Sequence, residues 1–167
     1  MKRLGSLFLS ALLLLWGCGM REDKGAAATV SELLTLCGEY PAGVLYQKGA
    51  EEGEESYLSS ERFDLLFGEG SAEVYLPLVE DYALYLSSFA TPFEVAFFRC
   101  YTRSDATRLG TMLLARSDAL KLLLREVGAY EAYGEIYVAV VQSTAALVMS
   151  KDLPAKGKAE AVLRTAS

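Results

Sequence analysis

Two apolar runs in the middle of the chain constrain its fold more than any other feature. Residues 82–87 alternate with the period of a β-strand, and residues 93–101 form a second run that carries apolar side chains on both faces. Pro92 lies in the short connection between them and has no N–H to donate to a neighbouring strand. Because adjacent strands with a short connection usually pair antiparallel, these runs predict a two-stranded antiparallel unit.

The remaining periodic segments complete an α+β pattern. Apolar residues at helical spacing predict four helices, at 30–37, 61–67, 105–127 and from Asp152 towards the C-terminus. Further strands are predicted at 135–141 and 145–149, and residues 44–47 are a candidate for one additional short strand. We therefore expect a single α+β domain over residues 29–167, with an antiparallel sheet of about four strands and helices packed on one face.

Local signals set the predicted helix boundaries. Thr29 and Glu32 have the spacing of a capping box at the start of the first helix. Ser60 and Ser104 are the predicted N-caps of the next two helices. Residues 68–73 are predicted to form a loop.

The N-terminal residues have the pattern of a secretory signal. Lys2 and Arg3 supply positive charge, and residues 4–16 are almost wholly apolar. This run of about 13 residues is shorter than the roughly 20 that a helix needs to cross a bilayer, so a permanent transmembrane anchor is the weaker alternative. We predict a signal peptide over residues 1–17.

The signal ends at Leu15-Trp16-Gly17-Cys18, which resembles the lipobox of bacterial lipoproteins. In that class of signal the cysteine thiol receives a diacylglyceryl group, and two acyl chains hold a protein on a bilayer far better than one. The resemblance implies lipidation of Cys18, with the lipid bilayer as partner, on the outer face of the bacterial cytoplasmic membrane. The alternative is an ordinary signal in which Cys18 is incidental. Residues 18–28 are mostly polar or small and are predicted to form the tether.

Composition excludes several classes of function. Without Lys2 and Arg3 the exported chain has 14 basic and 22 acidic residues, a net charge of −8. This charge argues against nucleic acid as a partner, because nucleic-acid binding depends on basic patches. The chain has no histidine, which removes Ser-His-Asp and Cys-His catalysis and histidine-ligated zinc sites. We expect no cofactor and no metal.

Two cysteines remain after the signal, and they leave two interpretations open. Export places Cys37 and Cys100 in a compartment where a disulfide between them would persist. Both also lie on apolar stripes, where a free cysteine behaves as a small hydrophobic side chain.

Acidic and basic clusters also have two interpretations each. The acidic loop 51–55 fits a solvated loop or, alternatively, a calcium site that lacks the residue pattern of an EF-hand. The basic residues of the long helix fit a solvated face or, together with Arg99 and Arg103, an anion site. These helix residues are Arg108, Arg116, Lys121 and Arg125.

The tyrosines of the strand region have two interpretations as well. Tyr82, Tyr85 and Tyr101 fit either packing in the core or the lining of a groove.

The segment from Asp81 to Arg99 carries a resemblance to a known family. Its strand at 80–87, the stretch 90–98 and the preceding Leu66-Phe67-Gly68 are similar to the pattern of the family catalogued as domain of unknown function 4358. That family consists of small lipoproteins found mostly in Firmicutes, and the similarity covers roughly residues 29–165. The last strand pair departs from the pattern because no asparagine-tyrosine pair lies near its turn. The resemblance implies a fold and a habitat, but no activity and no catalytic residues.

These observations favour a non-catalytic binding or interaction module of the cell envelope, with an envelope or membrane protein as a partner. The alternative is a lipoprotein that binds a small molecule or an ion. An enzyme is the weakest class, because Glu80 and Asp81 are adjacent on a strand and so point to opposite faces.

Overall fold

The computed structural model describes residues 24–87, 91–151 and 155–167. These residues form one five-stranded sheet in which every neighbouring pair is antiparallel, in the order β1-β2-β3-β5-β4. The strands are β1 (Gly43–Gln47), β2 (Val79–Ser87), β3 (Glu94–Cys100), β4 (Glu135–Val141) and β5 (Thr144–Ser150). The predicted α+β class and antiparallel sheet are therefore confirmed, with five strands where about four were expected.

Six α-helices and one short 3₁₀ helix accompany the sheet within the described residues. The α-helices are α1 (Ala26–Thr35), α2 (Ser60–Phe67), α3 (Ser71–Tyr75), α4 (Arg103–Glu126), α5 (Tyr130–Tyr133) and α6 (Ala155–Thr165). The 3₁₀ helix, Leu76–Leu78, leads directly into β2. No helix in this part of the chain is both long enough and apolar enough to cross a membrane.

Helices cover both faces of the sheet, which corrects the predicted packing on one face. Strand β3 is buried along its whole length. Glu94 pairs with Arg116 of α4, whereas Arg99 bonds to the backbone just before α1. Residues five apart on a strand point to opposite faces, so α1 and α4 lie on different sides of the sheet. The domain therefore has three layers, with β3 at its centre.

Helix α1 begins earlier than the capping-box signal predicts. Its first residue, Ala26, donates its N–H to the Asp81 carboxylate at 2.8 Å, so a side chain 55 residues away caps the helix. Thr29 lies inside α1 and donates its hydroxyl to the carbonyl of Gly25. Residues 26–28, predicted as part of the tether, therefore belong to the folded domain, because a long-range cap replaces the local one.

The other caps also differ slightly from prediction. Ser59 accepts the N–H of Arg62 to cap α2, and Thr102 accepts the N–H of Asp105 to cap α4. Ser60 and Ser104 are thus the first and second residues of helices, not their caps.

The predicted loop at 68–73 is wrong in its second half, because α3 begins at Ser71. The Asp64 carboxylate accepts the N–H groups of Gly70 and Ala72 at 3.1 and 2.7 Å. A side chain of α2 thereby supplies the acceptors that start the next helix.

Aromatic side chains join α2 to the sheet. The Phe98 ring on β3 lies 6.1–6.3 Å between centroids from the rings of Phe63, Phe67 and Tyr82. Phe63 and Phe98 are fully buried. This cluster fixes the position of α2 over β2 and β3, and so fixes the space between α2 and α4.

We expect Phe98→Ala to lower the free energy of unfolding by about 3–5 kcal/mol, because it removes a fully buried ring and leaves a cavity. The matched control is Tyr101→Ala, three residues further on, whose side chain is 63% exposed. That control should change stability by less than about 0.5 kcal/mol. Chemical denaturation measures both, and equal effects would contradict the packing described.

Candidate functional site

A cavity of about 330 Å³ opens between α2 and α4, above the ends of β2 and β3. We call it the α2–α4 groove. Its lining residues are Arg62, Leu66, Leu86, Ser87, Pro92, Phe93, Glu94, Arg116, Leu120, Leu123 and Val127. Five of these eleven residues are leucine or valine, and the charged groups of the groove come from one residue on each of three elements.

A buried ion pair lies in this groove. Arg116 donates from Nε and Nη2 to the same oxygen of Glu94, Oε2, at 2.9 and 2.8 Å. The Glu94 side chain is 1% exposed and that of Arg116 is 14% exposed. Removing two charges from water costs several kcal/mol per ion, and excellent geometry is needed to offset that cost. The pair therefore holds the Arg116 guanidinium in one position.

The second oxygen of Glu94, Oε1, is buried and has no hydrogen-bond partner within the described part of the chain. Burial raises the pKa of Glu94 above its usual range, and the charge and hydrogen bonds of Arg116 oppose that shift. Both Arg116 bonds go to Oε2, so neither bond stabilises negative charge on Oε1.

The other charged group of the groove is Arg62, on α2. Its guanidinium carbon lies 4.6 Å from the centroid of the Tyr46 ring, a cation–π contact, and its guanidinium N–H groups have no acceptor in residues 24–87, 91–151 and 155–167. The Ser87 hydroxyl is already used, since it donates to the Thr91 carbonyl and accepts from the Phe93 N–H. With Glu94 and Arg116 paired, the lining of the groove carries one surplus positive charge.

The groove lies at the end of the sheet opposite the point where the chain enters the domain. Ala26 bonds to Asp81 at the start of β2, and Arg99 at the end of β3 donates to the carbonyl of Lys24 at 2.6 Å. Glu94 is five residues from Arg99 along β3, a distance of about 17 Å in an extended strand. The N-terminal segment and the groove are therefore separated by most of the length of the sheet.

The predicted lipidation residue, Cys18, lies outside the described residues, as do residues 1–17 and most of the tether. Its modification stays a prediction.

Cys37 and Cys100 are buried free thiols. Cys37 follows α1, whereas Cys100 is six residues after Glu94 and so faces the α4 side of the sheet. The sheet separates the two thiols, and the disulfide alternative is not formed. Burial raises the pKa of each thiol to about 12.

The basic residues predicted as an anion site are not brought together. Arg99 and Arg116 lie on opposite faces of the sheet, with different partners. Lys121 pairs with Asp118 on the surface of α4, and the Arg125 guanidinium lies over the Tyr130 ring. Arg103 and Arg108 are exposed.

The three tyrosines also do not share a groove. Tyr82 packs on Phe98, whereas Tyr85 points to the other face and donates its hydroxyl to the Pro41 carbonyl at 2.7 Å. Tyr101 is exposed.

The acidic loop 51–55 is exposed throughout. Glu54 uses one carboxylate oxygen to accept the N–H of Glu51, which closes a local turn. Among the described residues no three acidic or cysteine side chains come close enough together to hold a metal ion.

Sequence reasoning missed Glu94, although a signal was present. It is the one charged residue in the apolar run 93–98. A charge in a strand that is apolar on both faces must find a buried partner, and Arg116 lies on the edge of the buried stripe of α4.

Comparisons with protein-family models, curated proteins and solved structures find no match for this chain. The resemblance drawn from residues 81–99 stays a prediction.

We expect Arg116→Met to lower the free energy of unfolding by about 3–5 kcal/mol, because Glu94 is left buried without its partner. The double variant Glu94→Leu/Arg116→Met should recover most of that loss, since it buries no charge. Arg108→Met is the matched control on the exposed side of the same helix and should be close to neutral. Denaturant titration gives all three values. A double variant as unstable as Arg116→Met would contradict the assignment of the loss to the unpaired carboxylate.

The thiols offer a chemical test. At pH 8, a pKa of about 12 leaves almost no thiolate on Cys37 or Cys100, so the folded protein should resist iodoacetamide. In denaturant without a reductant, mass spectrometry should find both cysteines alkylated. Recovery of a Cys37–Cys100 disulfide peptide would contradict the free thiols.

Proposed function

We propose that this chain is a lipid-anchored, non-catalytic binding module of the cell envelope, held on the outer face of the cytoplasmic membrane through Cys18. The α2–α4 groove is its binding site. The observation that carries the proposal is the place of the groove, at the end of the sheet away from the N-terminal segment.

The geometry of the tether supports this orientation. Five residues lie between Cys18 and Lys24, and the six residue-to-residue steps span at most about 21 Å when fully extended. An anchor of this length keeps the start of α1 near the membrane. The groove then faces the space beyond the membrane, where a ligand or partner can reach it.

The chemistry of the groove supports binding over catalysis. Glu94 is committed to Arg116, and the Ser87 hydroxyl is committed to its own loop. A nucleophile needs an adjacent base to activate it, and the groove residues are arranged as fixed charges between apolar walls. Such an arrangement suits recognition of a shape and a charge.

Two kinds of occupant fit a module of this type. Exposed apolar side chains at the groove and on α2, including Leu65 at 85% exposure, Leu123 and Val127, support an envelope or membrane protein as partner. The convergence of Arg62, Glu94 and Arg116 on one cavity that also has leucine walls supports the alternative, a small molecule.

The anchor is tested by replacing the acylated residue. Cys18→Ser should move the protein from the membrane fraction to the soluble fraction or the medium, or leave it unprocessed, because no acyl chain can then be attached. Mass spectrometry of the wild-type N-terminus should find a diacylglyceryl cysteine. Cys37→Ser is the matched control and should stay with the membrane. A wild-type protein without acyl groups would contradict the proposal.

A further inference from the structure

We infer that the α2–α4 groove binds a small carboxylate that carries an apolar chain. The inference rests on the proposed binding function and adds the chemical class of the ligand.

The net positive charge of the groove favours a ligand that carries a negative charge. Glu94 and Arg116 neutralise each other. Arg62 adds one positive charge, and no carboxylate of the described residues forms an ion pair with it. A ligand with a single negative charge therefore balances the groove. An ammonium ligand would face the guanidinium groups of Arg62 and Arg116, and the carboxylate oxygen of Glu94 that Arg116 leaves unbonded, Oε1, is buried.

The free donors select the head group. Arg116 binds Glu94 through Nε and Nη2, so the Nη1 donors have no acceptor among the described residues. The N–H donors of Arg62 are similarly uncommitted. A guanidinium matches the two oxygens of a carboxylate, and such charge-assisted pairs are among the strong hydrogen bonds of proteins. Glu94 acts as a positioning residue, because it fixes the orientation of Arg116.

The leucine side chains in the walls of the groove favour a ligand with an apolar chain. Leu66 from α2, Leu86 from β2, and Leu120 and Leu123 from α4 present hydrocarbon to the same space. Its volume, about 330 Å³, lies at the lower end of the range for small-molecule sites. An unbranched chain of about eight carbons would place its methylene groups against these leucines, each buried methylene contributing to affinity.

The probe is octanoate, titrated calorimetrically into the full chain reconstituted in phosphatidylcholine nanodiscs, with empty nanodiscs as the blank. Octylammonium has the same chain and the opposite charge, octyl phosphate carries more negative charge, and acetate has the head group without the chain. We expect octanoate to bind at least tenfold more tightly than each of the other three.

Two matched pairs of variants locate the site. Arg62→Gln should weaken octanoate binding about tenfold or more, whereas Arg108→Gln, on the exposed side of α4, should change it less than twofold. Leu123→Glu, in the wall of the groove, should weaken binding by a similar factor, and its exposed neighbour Leu122→Glu should not. All four positions are exposed, so the variants should fold, and thermal unfolding of each verifies this.

Equal or tighter binding of octylammonium or octyl phosphate, or equal effects of Leu123→Glu and Leu122→Glu, would overturn the inference. Absence of octanoate binding by a chain that is shown to be acylated would contradict the ligand class and leave the anchored module standing. A chain without acyl groups would contradict the proposed function, whatever octanoate does.

Discussion

Complete burial of β3 is the constraint on which the rest of the structure depends. Every side chain of this strand must be covered, and its apolar residues alternate between two faces, so helices are needed on both. Its two charged residues also require partners inside the protein. Glu94 accepts hydrogen bonds from Arg116 of α4, and Arg99 donates to the carbonyl of Lys24, just before α1. The same strand therefore defines the three layers and the positions of two helices.

The groove is a consequence of how the helices share one face of the sheet. Helix α4 covers β3, β4 and β5, and the short α2 is held over β2 by the aromatic cluster around Phe98. The two helices leave a gap where Glu94 begins β3, and the buried pair supplies the polar part of that gap. The Glu94 carboxylate must be paired with Arg116 for β3 to be stable, and the same pair supplies charged groups to the lining of the cavity.

Strand positions and the fold class were predictable because they depend on local periodicity, as in 93–101 and 135–141. The cap of α1 was not, because Asp81 lies 55 residues from Ala26 and only the folded sheet brings them together. Helices were expected on one face only, although the apolar residues at both parities of β3 carried the signal for packing on both. For the candidate site, Glu94 was visible as a charge in an apolar strand, but 22 residues separate it from Arg116 and no local pattern connects them.

The bonds that attach the N-terminal segment to the sheet have a mechanical consequence. The Asp81 carboxylate accepts the N–H of Ala26, and the Arg99 guanidinium donates to the carbonyl of Lys24. Asp81 and Arg99 belong to β2 and β3, two adjacent strands inside the sheet. Tension applied through an N-terminal anchor would therefore be delivered to the middle of the sheet. Load introduced there is shared among several ladders, and an edge strand such as β4 would not be the first to peel away.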